Sequence, residues 1–131
     1  MDTIALRQIL YRSQAVGQPN VSEILAASKR NNGLDGITGL LLYDGNVFLQ
    51  VLEGPENSVA AAFGRIRADR RHEEIEVISD GTIGEREFGY WSMELRNDVE
   101  PSDDAMWRLR RRLEQFRPDL YHHFFASFDQ K

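Results

Sequence analysis

The order of elements predicts an α+β sandwich of the ferredoxin-like type, βαββαββ, with a mixed sheet, two helices on one face and a C-terminal helical cap. Three observations carry this. Apolar runs of strand length alternate with amphipathic helical stretches in the order strand, helix, strand, strand, helix, strand, strand. An Asp44-Gly45-Asn46 turn joins two such runs into a hairpin. Right-handed crossovers then put both intervening helices on the same side of the sheet.

The first strand is read over Ala5 to Arg12, with Leu6, Gln8 and Leu10 on one side, Arg7, Ile9 and Tyr11 on the other, and Tyr11 at its end. A short loop, SQAVGQPN, follows. Asn20 caps the first helix, with Glu23 completing a capping box, and the helix runs to about Asn31. Its inward stripe, Val21, Ile24, Leu25, Ser28, Asn31 and Asn32, begins apolar and ends polar. Gly33 and Gly36 stop it. Ile37 to Tyr43 forms a second strand so uniformly apolar that it reads as covered on both faces.

The third strand, Val47 to Leu52, puts Gln50 between Phe48 and Leu52 on one face. Pro55 opens the second helix, Glu56 to Asp69, which buries Val59, Phe63 and Ile66 and sets Arg65 four residues before Asp69 as an ion pair. A turn at ADRRHEE precedes two more strands, Glu76 to Ile78 and Trp91 to Leu95. Beyond Pro101 and a Ser102 cap, Ala105, Leu109, Leu113 and Phe116 make an amphipathic helix. After Pro118, LYHHFFASF makes a second, strongly aromatic one. Residues 1–97 thus form one domain and 98–131 a helical extension that packs on the sheet or on a partner.

Composition narrows the function. The 131 residues, 41% hydrophobic and 28% charged, lack any run approaching ~18 apolar residues, so no membrane partner is expected. MDTIALRQIL has no basic leader and the chain no cysteine, which predicts a cytoplasmic protein without thiolate chemistry. A net charge of -5 argues against nucleic acid. His122 and His123 are adjacent and His72 is distant, so no metal site is expected.

What remains is a set of amides where a core should be apolar. Asn31 and Asn32 at a helix end and Gln50 in mid-strand need buried partners, and a flat polar object between helix and sheet would supply them. Singly, each residue has a plainer reading. Tyr11, Trp91 and Met93 suit a core, Gln50 could bond a neighbouring strand, and Asn31 and Asn32 could belong to a helix C-terminus capped at Gly33.

Taken together, five blocks in order, YRS after strand one, SKRNN with GITGLLLY, FLQVLEG, RIRADRRH and FGYWSM, resemble the BLUF domain, a flavin-binding blue-light sensor. The likeness covers Tyr11 to about Leu95. It implies a non-covalently bound flavin, FAD first, with FMN or riboflavin as alternatives, lying between the two helices. By this resemblance Tyr11 gives an electron to the excited flavin. Gln50 is the switching amide between tyrosine and ring, whose rearrangement gives a red-shifted signalling state. Trp91 and Met93 are the strand-five pair that exchanges places near the glutamine. Asn32, with Asn31 beside it where some members have histidine, reads the pyrimidine edge, and Ser28 lies close to the glutamine. Arg65 and Asp69 match positions near the ribityl and phosphate tail, and Ile24, Phe48 and Ile66 complete the pocket. No enzymatic activity is implied. With no output domain expected to follow, the signal would pass to a downstream effector protein or between subunits of a homo-oligomer. Two other classes fit the fold: a light-independent interaction module, and an acylphosphatase-like hydrolase using Arg12 as an anion cradle, though without the glycine-rich loop such a cradle needs.

Overall fold

The computed structural model describes residues 5–18, 20, 23, 36–43, 46–88, 95–96 and 104–129. It falls into two compact units, residues 1–95 and 96–131. The strands are β1 (Leu6–Ala15), β2 (Thr38–Tyr43), β3 (Val47–Pro55), β4 (His72–Ile83) and β5 (Leu95–Arg96), in the spatial order β4-β1-β3-β2-β5. Helix α1 (Glu56–Ala68) belongs to the first unit, and α2 (Asp104–Phe116) and α3 (Pro118–Asp129) to the second.

The ladders β1·β3, β1·β4 and β2·β3 are antiparallel. Strands β1 and β2 therefore run the same way with β3 between them, as do β3 and β4 with β1 between them. The sheet expected to be mixed is thus antiparallel in each of the ladders described. Of the first expected helix only Glu23 is described as helical, and its backbone N–H donates to Asn20 Oδ1 at 3.1 Å, the expected cap bond.

The hairpin β2–β3 forms as the Asp-Gly signal predicts, although residues 44 and 45 lie outside the described set. Gly39 on β2 is required by close approach. A Cβ there would stand 1.9 Å from the Val51 carbonyl oxygen on β3.

Registry sorts the sheet into two faces. Ile9, Tyr11, Leu41, Phe48 and Leu52 join Val59, Ala62 and Phe63 of α1 in one buried cluster. Ile66, expected to be buried with them, is half-buried against it. Leu10, Leu40, Leu42, Leu49 and Val51 point to the opposite face and are also buried. Both faces of the central strands are hence apolar, which is why β2 reads as an unbroken run.

Expected boundaries move in three strands, β3 among them, which runs past Leu52 to Pro55. Strand β1 does not end at Tyr11 but continues to Ala15, because Ser13 and Gln14 pair with Phe48 and Val47. Polar residues hid that extension. Strand β4 begins at His72, inside the expected turn, and runs 12 residues. Its length was masked by its composition: it is an edge strand, with Glu73, Glu74, Glu76 and Asp80 exposed and two register shifts against β1. Arg7 grips Asp80 through both oxygens at 2.8 and 2.7 Å. The last strand is seen at Leu95–Arg96, residues 91–94 lying outside the described set.

In the second unit α2 packs against α3, with Arg117 N–H returning to the Leu113 carbonyl at 2.8 Å. Leu109, Leu113 and Leu120 are buried. Phe116, expected on the same stripe, is half exposed, since it is the last residue of α2 and the stripe ends where the chain turns at Pro118. Trp107 is also half exposed, with the Arg111 guanidinium 5.3 Å above its ring.

Candidate functional site

The α1-facing side of the sheet carries a polar pair in an apolar setting. Tyr11 on β1 lies directly across from Gln50 on β3, and Leu41 on β2 faces Gln50 from the other side. Both polar residues are buried, at 3% and 4% exposure, so each must be hydrogen-bonded. They bond to each other: the Tyr11 hydroxyl donates to Gln50 Oε1. With the oxygen end of the amide turned to the phenol, the NH2 end is the donor that Gln50 presents elsewhere.

The phenol is held from all sides. Its ring lies 5.4 Å from that of Phe63 on α1 and 6.4 Å from His72 at the start of β4. Burial, and then the nearby Asp69 charge, push its pKa far above the ordinary tyrosine value. Burial thus favours the protonated phenol. Phe48, two residues from Gln50, stacks on Tyr43 at 4.5 Å and meets His72 edge-on at 6.2 Å.

His72, discounted in the sequence as a metal ligand, sits against this cluster. Its Nε2 lies 2.6 Å from the Ile66 carbonyl, which can only accept, so Nε2 carries the hydrogen. In the neutral ring Nδ1 then accepts from the Ser13 hydroxyl at 2.7 Å. The imidazole ties the last turn of α1 to the extended end of β1. Only a correct β1 boundary, placing Ser13 in the strand, would have revealed this.

Asp69 is not the helical partner of Arg65. It lies just past α1 with extended backbone, and its carboxylate is gripped by the Arg71 Nε and by its Nη2, and receives the Arg71 backbone N–H at 2.9 Å. The Arg71 hydrogen bond holds the Asp69 pKa below its ordinary value. Arg65 is exposed on α1 and Ile66 is half-buried. Of the expected site residues, Tyr11, Phe48 and Gln50 are therefore brought together. Ile66 and Asp69 stand at the α1 end of the same region. Ile24, Ser28, Asn31, Asn32, Trp91 and Met93 lie outside the described residues.

Arg12, the anion cradle of the hydrolase alternative, reaches Glu76 on β4 at 2.8 Å and is committed to that carboxylate. Among the described residues no group of three or more potential ligands could hold a metal ion, and no helix is long and apolar enough to cross a membrane.

A second polar group, unforeseen in the sequence, occupies the opposite face. Glu53 on β3, fully buried, accepts from Gln8 on β1 and from the backbone N–H groups of Glu87 and Phe88. Its signal was legible, for a carboxylate closes the apolar run FLQVLEG.

The sequence matches the BLUF family, described as sensors of blue light using FAD, over residues 6–94. It is 34% identical over 115 residues to photoactivated adenylate cyclase subunit beta of Euglena gracilis, covering 81% of this chain and 13% of that protein. It is 33% identical over 93 residues to the blue light- and temperature-regulated antirepressor BluF of Escherichia coli K12, covering 69% and 23%. The chain thus spans less than a quarter of these relatives. Among solved structures, the dark state of the BLUF protein BlrB superposes with a TM-score of 0.69 at 34% identity, covering 90% of this chain and 83% of that one. A bacterial light-regulated adenylyl cyclase gives 0.70 at 29%, covering 88% and 35%.

Proposed function

Because the chain belongs to the BLUF family, the sensors of blue light using FAD, we propose that Tyr11 and Gln50 form its photoactive centre and that it reports light to a separate effector. The observation that carries this is the buried hydrogen bond from the Tyr11 hydroxyl to Gln50 Oε1 beneath α1. A core needs no such pair. Two leucines would fill the same space without the cost of desolvating a phenol and an amide.

The donor set suits an isoalloxazine, whose edge offers one N–H donor flanked by carbonyl acceptors, and a carboxamide offers both complements. When bound, FAD supplies blue absorption and an excited state able to accept an electron. Everything else is work for the chain. Tyr11 is the electron donor and holds the associated proton on its hydroxyl, aimed at Gln50 Oε1. Gln50 receives that hydrogen bond in the dark. Turning or tautomerising its amide exchanges the donor and acceptor it presents on each side, which stores the light signal as a hydrogen-bond pattern. Phe63, Phe48 and His72 hold the two side chains in register and keep water away. Asn31, Asn32 and Ser28 would hold the ring, Ile24, Phe48 and Ile66 would line its pocket, and Arg65 and Asp69 would lie toward the ribityl and phosphate tail. Trp91 and Met93 would respond to Gln50.

The chain acts as a sensor rather than a catalyst in this reading, with residues 1–97 as the light-sensing domain and 98–131 as the helical extension. It works in the cytoplasm, as a homo-oligomer, on a downstream protein partner. The test is direct. Purified protein should be yellow, should shift its absorption slightly to the red under blue light and revert in the dark, and should release FAD on acid denaturation. A colourless protein, or a flavin spectrum indifferent to blue light, would overturn the proposal.

A further inference from the structure

The face of the sheet away from α1 carries a polar row in an apolar field. Gln8 on β1, Glu53 on β3 and Thr38 on β2 are cross-strand neighbours, flanked by buried Leu10, Leu40 and Val51. Glu53 Oε2 accepts from Gln8 Nε2 at 2.8 Å and from the Glu87 backbone N–H at 2.9 Å, while Oε1 accepts from the Phe88 backbone N–H at 2.8 Å. The Arg86 guanidinium clamps the same place. It donates to the Thr38 hydroxyl at 2.7 Å, the Glu53 carbonyl at 3.0 Å and the Gly36 carbonyl at 2.8 Å.

Residues 84–88 follow β4 and belong to no strand. The amides of Glu87 and Phe88 therefore have no ladder, and a buried side chain takes the part of one. A fully buried carboxylate is expensive unless every lone pair is used, and here both oxygens accept amide hydrogens. Its geometry fixes a segment. That segment runs, three residues after Phe88, into Trp91 and then Met93, while Gln50 stands three residues before Glu53 on the same strand, about 10 Å away along it.

We infer that Glu53 is a positioning residue of the photosensor: its carboxylate latches residues 86–88 to β3, and so fixes on that strand, three residues beyond Gln50, the point from which the chain continues toward Trp91 and Met93. The inference rests on the photosensory reading above. Its structural half is separately measurable.

Glu53→Gln in the full-length, FAD-loaded protein replaces one acceptor oxygen with an NH2 that cannot accept from an amide. Hydrogen exchange measured in the dark should accelerate by about tenfold in peptides covering 86–96 and stay unchanged in those covering 6–15 and 56–68. The red-shifted state should still form, since Tyr11 and Gln50 are untouched, but its dark recovery rate should change by about threefold or more. Unchanged exchange at 86–96, exchange raised equally throughout, or a wild-type recovery rate would each overturn the inference. Arg86→Gln provides a second route, leaving the buried carboxylate in place and loosening the same segment. It should reproduce the localised exchange and the altered recovery, and a variant identical to wild type in either would refute the latch. A wild-type protein without any red shift would instead defeat the photosensory reading, leaving the dark exchange result to stand by itself.

Discussion

Replacing Gln50 by leucine separates a photosensor from a merely well-packed core. The side chains are similar in volume, and the site is bounded by Tyr11, Leu41, Phe48 and Leu52, so leucine fits without displacing its neighbours. The loss falls on Tyr11. Its hydroxyl, in a residue 3% exposed, donates to Gln50 Oε1, and in the variant that donor is left buried and unpaired. Such an orphan costs about 1–3 kcal/mol, against a small gain from burying an apolar side chain in place of an amide. At a urea slope of about 1–3 kcal/mol/M the midpoint should fall by roughly 1 M. The optical consequence is sharper. Leucine has neither donor nor acceptor, so no exchange of hydrogen bonds can be stored, and the variant should bind FAD yet show no red-shifted state. Difference spectra before and after blue illumination, on samples matched for flavin content, decide it. An intact red shift in Gln50→Leu would refute the amide-switch mechanism, and an unchanged urea midpoint would refute the claim that the hydroxyl depends on Gln50.

Tyr11→Phe should keep the ring packed against Phe63 and retain flavin while losing the red shift, and a normal shift would assign the relay to another residue. The raised Tyr11 pKa means that the folded protein keeps a neutral phenol. Stability tied to it is present below the ordinary value near 10 and lost as pH rises beyond it, so the size of the red shift should be flat between about pH 6 and 9. A midpoint within that range in the light-minus-dark amplitude would count against this. Asp69 and Asp80 are held below the ordinary carboxyl range by hydrogen bonds from Arg71 and Arg7. Their contribution is present above about pH 4 and lost on acidification, so Asp80→Asn should flatten the acid limb of a thermal-melt series. Gly39→Ala would drive a Cβ to 1.9 Å from the Val51 carbonyl and should yield insoluble protein, which expression at wild-type solubility would contradict. Truncation after Asn97 should change solubility or association as measured by light scattering, given the half-exposed Trp107 and Phe116 beyond it.

The sequence was most legible where side-chain period and turn chemistry agreed. Strand β2, the start of β3 and helix α1 fall close to their expected bounds because an Asp-Gly turn and Pro55 mark them. Where pairing rather than hydrophobicity makes the strand, the pattern failed. The end of β1 and most of β4 are polar, yet Gln14 and Glu73 face each other across a ladder. That error had consequences for the site. Ending β1 at Tyr11 removed Ser13, and with it the partner that explains His72. The Tyr11–Gln50 pair was within reach because an amide in an apolar strand demands a partner, and parity of the two strands supplied one. Arg65 and Asp69 show the opposite limit. Their four-residue spacing describes a helix surface, but Asp69 is already outside α1, where a neighbour two residues on captures it.

The acidic edge of β4 bears on how copies of this protein can meet. An open strand of 12 residues is long enough to recruit another strand from a second molecule, adding to the sheet without limit. Here such an encounter would bring the exposed Glu73 and Glu74 of each copy against their own kind, along a strand twice shifted out of register and carrying Glu74 at φ 54°. Open-ended stacking is thereby discouraged through charge and shape together.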